Sequence, residues 1–186
     1  MRHFDAARIA EAAALVRAGG VLAYPTEAVF GLGCDPDNRA AFERIFALKQ
    51  RPPEQGVLLI ASDFAQIADW IEAPPEAIAR AQATWPGAHT WIFPRSARVP
   101  EWVAGGHSGI ALRITAHESA AALCRAFGGP VVSTSANVHG QPPARSAEEV
   151  ETMFSEGLDG ILHGPTGGLQ RPTPIADAVS GVIIRA

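Results

Sequence analysis

Lysine is nearly missing from this chain. Lys49 is the single one, and the other fourteen of fifteen cationic residues are arginine. Cysteine is scarce as well. Cys34 and Cys124 stand far apart with no CxxC pair, which excludes a zinc ribbon and a disulfide framework. Two isolated thiols suit a reducing cytoplasm. No apolar run approaches the roughly 18 residues of a membrane span. The opening stretch, MRHFDAARIAEAAALVRAGG, intersperses its charges and lacks a continuous apolar core, so it does not read as a signal peptide. GxxxxGK[ST], GxGxxG and HExxH are absent, which excludes an ordinary P-loop protein. The six histidines (His3, His89, His107, His117, His139 and His163) are scattered, and no clustered metal-ligand set is evident.

What is present suits a globular domain. Hydrophobic residues make up 47% and charged residues 18%, far from the balance of a disordered chain. A length of 186 residues fits one domain over 1–186. The net charge of -4 hides a segregation: residues 77–147 hold six arginines against Glu101 and Glu118, a local +4 that leaves -8 elsewhere. That stretch is either chance placement of solvated arginines or an anion site on an acidic protein.

Helical spacing runs through AARIAEAAALVRAG after an N-cap at Asp5, and through NRAAFERIFALK after Asp37 or Asn38. Helices are also expected over 63–71, from Pro74-Pro75 to about Trp85, over ESAAALCRAFG, and over SAEEVETMF with the capping-box pair Ser146 and Glu149. VLAY, VLLIAS, HTWIF, GIALRI and PVVS read as strands, as do the short tail segments GILHG, IADAV and GVIIRA. Strands alternating with helices, then clustering at the end, predict an α/β (α+β) fold. Its sheet is twisted and mixed parallel/antiparallel, with helices packed on it. Its site is expected in loops at strand ends.

Four segments at element ends can carry chemistry. In LKQRPPEQG, an extended K-x-R puts Lys49 and Arg51 on one face, where an anion such as a phosphate chain would relieve their repulsion. The alternative is a pair of helix C-terminal cations facing the macrodipole. STSAN (133–137) offers three hydroxyls and a carboxamide. It fits a helix-capping turn, or contact with phosphate or a nucleobase; no GxSxG elbow supports a nucleophilic serine. Arg113 in IALRI lies on a solvated face or grips a carboxylate. HGPTGGLQRPTP (163–174) is a glycine-rich loop able to bring backbone close to a ligand. YPTEAVFGLG (24–33) is the fourth segment at an element end, and the glycine-rich loop stands apart from those four.

YPTEAVFGLG, KQRP, WPGAHT, ALRIT, STSAN and TGG occur here in one order. In that order the chain resembles the YrdC-like threonylcarbamoyl-AMP synthases over nearly its whole length, and their short single-domain form most. The resemblance implies a nucleotidyltransferase. It would condense L-threonine, bicarbonate and ATP to threonylcarbamoyl-AMP and pyrophosphate, with Mg2+ accompanying ATP. The product would pass to partner proteins that modify adenosine 37 of tRNA. Catalytic and ATP-binding roles would fall on Lys49, Arg51, Ser135 and Asn137, with Thr90 and Ser133 also near ATP. Thr26 and Arg113 would contact threonine. A cytoplasmic protein with no membrane contact is expected. The same fold also suits a non-enzymatic binder of tRNA or double-stranded RNA, including a ribosome-maturation factor. A hydrogenase-maturation-type paralogue adenylating another carbamate is a third reading. Three positions depart from the family pattern: Gln55 and His139 replace a common lysine and serine, and Ala88 a proline.

Overall fold

Continuous apolar runs build the middle of a sheet, and amphipathic runs cover it. The computed structural model describes residues 1–51 and 56–186. Gln55, one of the departures from the family pattern, lies outside the described residues. The strands are β1 (Arg2–Phe4), β2 (Leu22–Pro25), β3 (Phe30–Gly33), β4 (Leu58–Ala61), β5 (Thr90–Pro94), β6 (Gly109–Ile114), β7 (Val131–Ser135), β8 (Gly160–Leu162), β9 (Ile175–Asp177) and β10 (Ile183–Arg185). They form one sheet in the order β1-β8-β2-β3-β7-β4-β6-β5-β9-β10. β8 runs parallel to β1 and β2, β4 to β6, and β5 to β9; the other neighbours are antiparallel. The expected mixed sheet is therefore observed. Of the tail strands, β9 and β10 pair antiparallel, whereas β8 runs parallel to both of its neighbours.

Helices α1 (Ile9–Arg17), α2 (Arg39–Lys49), α3 (Pro75–Gln82), α4 (Glu101–Ala104), α5 (Glu118–Phe127) and α6 (Ala147–Met153) pack around the sheet. Alternation along β2 assigns the two faces. Ala23 joins a large cluster with Phe30, Leu32, Phe42, Ile45, Phe46 and Leu59. Leu22 and Tyr24 join a smaller one with Val16 of α1 and Leu123 and Cys124 of α5. Both cysteines are buried free thiols, and burial pushes Cys124 up to about 12. Asp5 accepts from the backbone N–H groups of Ala7 and Arg8, which caps the 3-10 turn Ala6–Arg8 leading into α1, while α1 itself starts at Ile9 without a side-chain cap. Ser146 accepts from Glu149 N at 3.2 Å, but Glu149 answers to Arg145 N rather than to Ser146 N, so the capping box is shifted by one residue.

The helix expected over 63–71 is two 3-10 turns, Phe64–Gln66 and Ala68–Trp70. Nine residues make a marginal α-helix. Here Ile67 and Trp70, three apart, share a buried side in the eclipsed 3-10 arrangement. The Gln66 amide also accepts from Ser62 N and donates to Cys124 O, which ties the turn to α5. α3 stops at Gln82, short of Trp85, where Thr84 Oγ1 bonds back to Ala81 O. β1, β3 and α4 were not expected. β3 carries two glycines, a composition that argues against a strand. At Gly33, however, a Cβ would stand 2.5 Å from Val132 O and 2.6 Å from the Tyr24 ring, so only glycine lets β3 sit between β2 and β7.

Phe42 is 1% exposed, and its ring stacks on Phe46 at 4.7 Å between centroids. Phe42→Ala is expected to lower unfolding free energy by about 3–5 kcal/mol in urea titration. A loss below about 1 kcal/mol would show that α2 is anchored elsewhere.

Candidate active site

The site begins where α2 ends. Gln50 N–H bonds to Ala47 O and Arg51 N–H to Phe46 O, the paired closing bonds of a Schellman motif. Gln50 takes the left-handed conformation there, at φ 50°, without being glycine. This corrects the expected extended K-x-R. With a left-handed residue between them, Lys49 and Arg51 point to different places rather than sharing one face.

Lys49 turns inward and is 4% exposed. Its ammonium donates to Ser135 O, to Asn137 O at 3.0 Å and to Asn137 Oδ1 at 3.1 Å. Three donors meet three oxygens of one turn, which a planar guanidinium could not match. Ser135 Oγ donates to the same Asn137 Oδ1 at 2.6 Å, and Asn137 Nδ2 donates to Val138 O and Gln141 O. The main chain repeats the link: His139 N donates to Lys49 O at 2.8 Å. Lys49, Ser135 and Asn137 are thus one hydrogen-bonded unit. Arg51 lies alongside, with Nη1 3.4 Å from Thr134 Oγ1, Nη2 donating to Gly56 O, and its guanidinium 5.5 Å from the Phe46 ring centroid.

A cavity of about 940 Å³ opens beside this unit. Arg51, Ser133, Thr134 and Ser135 line it, and so do Thr26, Thr90 and Arg113. Lys49 and Asn137 are not among the lining residues; they stand behind Ser135. Alternation in β6 resolves Arg113. Ile110, Leu112 and Ile114 enter the large core cluster, while Ala111 and Arg113 face the cavity.

Arg113 is 5% exposed, so its charge requires partners. Nη1 donates to Thr173 Oγ1 at 2.9 Å and lies 3.8 Å from Glu27 Oε2. Glu27 Oε1 accepts from Thr115 Oγ1 at 2.7 Å. Among the described residues, Arg113 Nε, Glu27 Oε2 and Thr90 Oγ1 are buried without a hydrogen-bond partner. Buried polar groups are normally paired, and those of Arg113 and Thr90 belong to side chains that line the cavity, so a ligand is the natural partner there. Thr26 Oγ1 donates to Val29 O.

Sequence reasoning missed Glu27, Thr115 and Thr173. Glu27 lies inside YPTEAVFGLG, and a carboxylate within an otherwise apolar run was the available signal. The glycine-rich loop bonds its backbone to this segment rather than to solvent: Gly167 N donates to Thr26 O and Leu169 N to Glu27 O. A Cβ at Gly167 would come within 2.8 Å of Glu27 O. Arg145 pins the loop through Ala28 O, Leu169 O and Gln170 O. Of the six arginines of 77–147, Arg113 and Arg145 line the cavity. Arg95 and Arg98 pair with Glu101 and with Asp37 and Asp69, Arg80 bonds to Ala178 O and Val179 O, and Arg125 is exposed in the last turn of α5. The +4 stretch is therefore not one patch. Arg51, Arg171 and Arg185 join the cavity from outside it.

A mixed sheet with a cavity lined by arginines and hydroxyls has the chemistry to receive an anionic small molecule. Residues 14–186 match the model of the Sua5/YciO/YrdC family, whose description reads "telomere recombination". A threonylcarbamoyl-AMP synthase of Stenotrophomonas maltophilia is 57% identical over 178 residues, 94% of this chain and 96% of the relative. One from Halorhodospira halophila is 52% identical over 179 residues, 96% of this chain and 94% of the relative. Among solved structures, P. abyssi Sua5 complexed with L-threonine superposes with a TM-score of 0.88 at 31% identity; 95% of this chain matches 53% of that longer one. E. coli YciO superposes with a TM-score of 0.85 at 29% identity, over 99% of this chain and 92% of the other. The chain belongs to the Sua5/YciO/YrdC family.

Burial, and then the nearby Arg51 guanidinium, push Lys49 down to about 8 from 10.5; the three oxygens around it pull the other way. Between those values the unfolded chain holds a proton that the folded chain has lost. This group's contribution to stability is therefore constant below pH 8 and rises from 8 to 10.5. The unfolding free energy of the wild type minus that of Lys49→Met is expected to increase across that window. A flat difference would mean that the oxygens cancel the burial penalty.

Proposed function

We propose that this chain is a threonylcarbamoyl-AMP synthase, a cytoplasmic single-domain nucleotidyltransferase that joins L-threonine, bicarbonate and ATP and releases pyrophosphate. One observation carries the reading: a single cavity is lined both by Arg113 with Thr26 and by Arg51 with Ser133, Thr134 and Ser135. The first pair suits an amino acid carboxylate and the second set suits a phosphate chain. The relatives named as this synthase, and the solved relative that holds L-threonine, support the assignment.

Threonine's amine first combines with bicarbonate, losing water, to give a carbamate. A carbamate oxygen then attacks the α-phosphorus of ATP in line, and pyrophosphate leaves with the bonding electrons. Both reactants are anions, so the protein's task is to neutralise and align them. Arg113 grips the threonine carboxylate, with Glu27 and Thr173 holding the guanidinium in place. Thr26 borders the threonine, and Thr90 offers its unpaired hydroxyl to the nucleotide. Arg51, Ser133 and Ser135 meet the phosphates. Asn137 orients the Ser135 hydroxyl. Lys49 positions the Ser135–Asn137 turn and sets a positive charge behind it. Mg2+ enters as part of the ATP substrate. Asp177 is the one carboxylate among the described lining residues, and it already accepts from Ser180 N and Oγ, so the phosphates and water hold the ion. The product passes to proteins that modify adenosine 37 of tRNA.

Pyrophosphate release is expected only when threonine, bicarbonate and ATP are all present, with a threonine-derived adenylate detected by mass spectrometry. No pyrophosphate release, joined to RNA binding that weakens steeply with salt, would favour a non-enzymatic RNA-binding protein instead, and release without threonine would favour adenylation of another carbamate. Arg113→Lys keeps the charge but loses the fork, and is expected to raise KM for threonine about ten- to a hundredfold while leaving KM for ATP nearly unchanged. Lys49→Arg is expected to keep the fold, shown by an unaltered circular dichroism spectrum, and to abolish most pyrophosphate release. Near-normal release would show that a guanidinium can serve in that place.

A further inference from the structure

Sequence order scatters the histidines, but the sheet brings two of them together away from the cavity. His3 lies in β1, and His163 follows β8 directly. Parallel pairing of β1 with β8 sets His3 opposite Ile161, and His163 N donates to Phe4 O at 2.7 Å, so both rings sit at one end of the same strand pair. His3 Nδ1 lies 2.9 Å from His163 Nε2, and the ring centroids are 5.2 Å apart. Glu151 of α6 reaches the same point, with Oε1 3.5 Å from His3 Nδ1. One ligand atom from each of the three side chains lies within 4.8 Å of the others. None of the three lines the cavity.

We propose that His3, Glu151 and His163 form a binding site for a divalent transition-metal ion of the zinc class. Two imidazole nitrogens and a carboxylate oxygen are the donor set that borderline ions prefer; Mg2+ and Ca2+ take oxygens alone. The spacing fits. Metal–nitrogen and metal–oxygen bonds of about 2.0–2.2 Å at tetrahedral angles put ligand atoms about 3.3 Å apart. The His3–Glu151 separation of 3.5 Å is close to that value, and the His3–His163 pair at 2.9 Å needs to open by only about 0.4 Å.

The ligand-free arrangement leaves a conflict that an ion resolves. His3 Nδ1 faces both the His163 nitrogen and the Glu151 carboxylate, and whichever ring carries the proton, one N–H cannot join all three atoms in good geometry. A cation accepts all three lone pairs at once and leaves a fourth position for water. β1 ends the sheet and is paired only with β8. An ion here ties the start of the chain to α6 and to the strand beside β2. It acts on the cohesion of that edge and not on the chemistry in the cavity.

The test uses untagged full-length protein stripped with a chelator, titrated with Zn2+ by calorimetry and with Co2+ by visible absorption. The wild type is expected to bind one equivalent of Zn2+, to give a tetrahedral-type Co2+ spectrum, and to melt at a higher temperature with Zn2+ than without. His3→Ala and His163→Ala are each expected to weaken binding at least about tenfold, and Glu151→Gln to weaken it too. All three variants should match the wild type in metal-free melting temperature and in pyrophosphate release. Should a histidine variant fail to fold, Glu151→Gln alone decides, because Glu151 is half-exposed. Zn2+ binding that survives these substitutions, or no saturable binding up to about 100 µM, overturns the proposal.

Discussion

A buried ammonium with three oxygens around it ties the two halves of the candidate site together. Lys49 ends α2, and its side chain closes on Ser135 O, Asn137 O and Asn137 Oδ1 at the end of β7. These residues are more than eighty positions apart in sequence. A buried charge without partners would be costly, so the turn cannot move away from the helix without exposing or abandoning that charge. Arg51 depends on the same junction. The left-handed Gln50 that stops α2 places Arg51 beside Thr134 and the cavity. The chain's one lysine stands where tetrahedral donor geometry is required, and its arginines occupy positions where a fork or a long reach is enough.

The opposite wall of the cavity rests on a second buried charge, handled differently. Arg113 is only partly satisfied by Thr173 and Glu27, and its Nε has no partner among the described residues. Leaving such a group open costs stability in the free protein. It is the kind of local cost tolerated where a ligand supplies the missing contact. Glu27 makes the arrangement possible, since its carboxylate offsets the guanidinium while Thr115 holds it from behind. The glycine-rich loop then covers Glu27 from outside, at a distance that only Gly167 permits. One wall rests on a lysine whose ammonium meets three oxygens, and the other on an arginine whose Nε has no partner among the described residues. That asymmetry fits a fixed phosphate-facing turn opposite a pocket waiting for a carboxylate.

Periodicity made much of the frame legible. Phe42, Ile45 and Phe46 share the helical face read from their spacing, Asp5, Asn38 and Ser146 cap as their types suggest, and the apolar runs of β4, β5, β6 and β7 are strands. Reading failed where tertiary contacts outweighed local preference. Asp63–Ile71 has helical composition but closes into two 3-10 turns because Ile67 and Trp70 are drawn into the core together. β3 hides behind its glycines because the Gly33 contact with Val132 and Tyr24 cannot be inferred from FGLG. Arg113 was ambiguous in sequence, since alternation states that it opposes Leu112 without saying which face meets water.

By itself, the sequence determined the alternation of strands and helices, the chemical types available to a site, and the family to which their order belongs, because these follow from local spacing and composition. It could not determine that Lys49 and Arg51 part company, that Glu27 backs Arg113, or that His3 meets His163 and Glu151. Each of those depends on which strands become neighbours. Strand order is settled by burial of apolar faces across the whole sheet, a sum over contacts distant in sequence that no single segment contains.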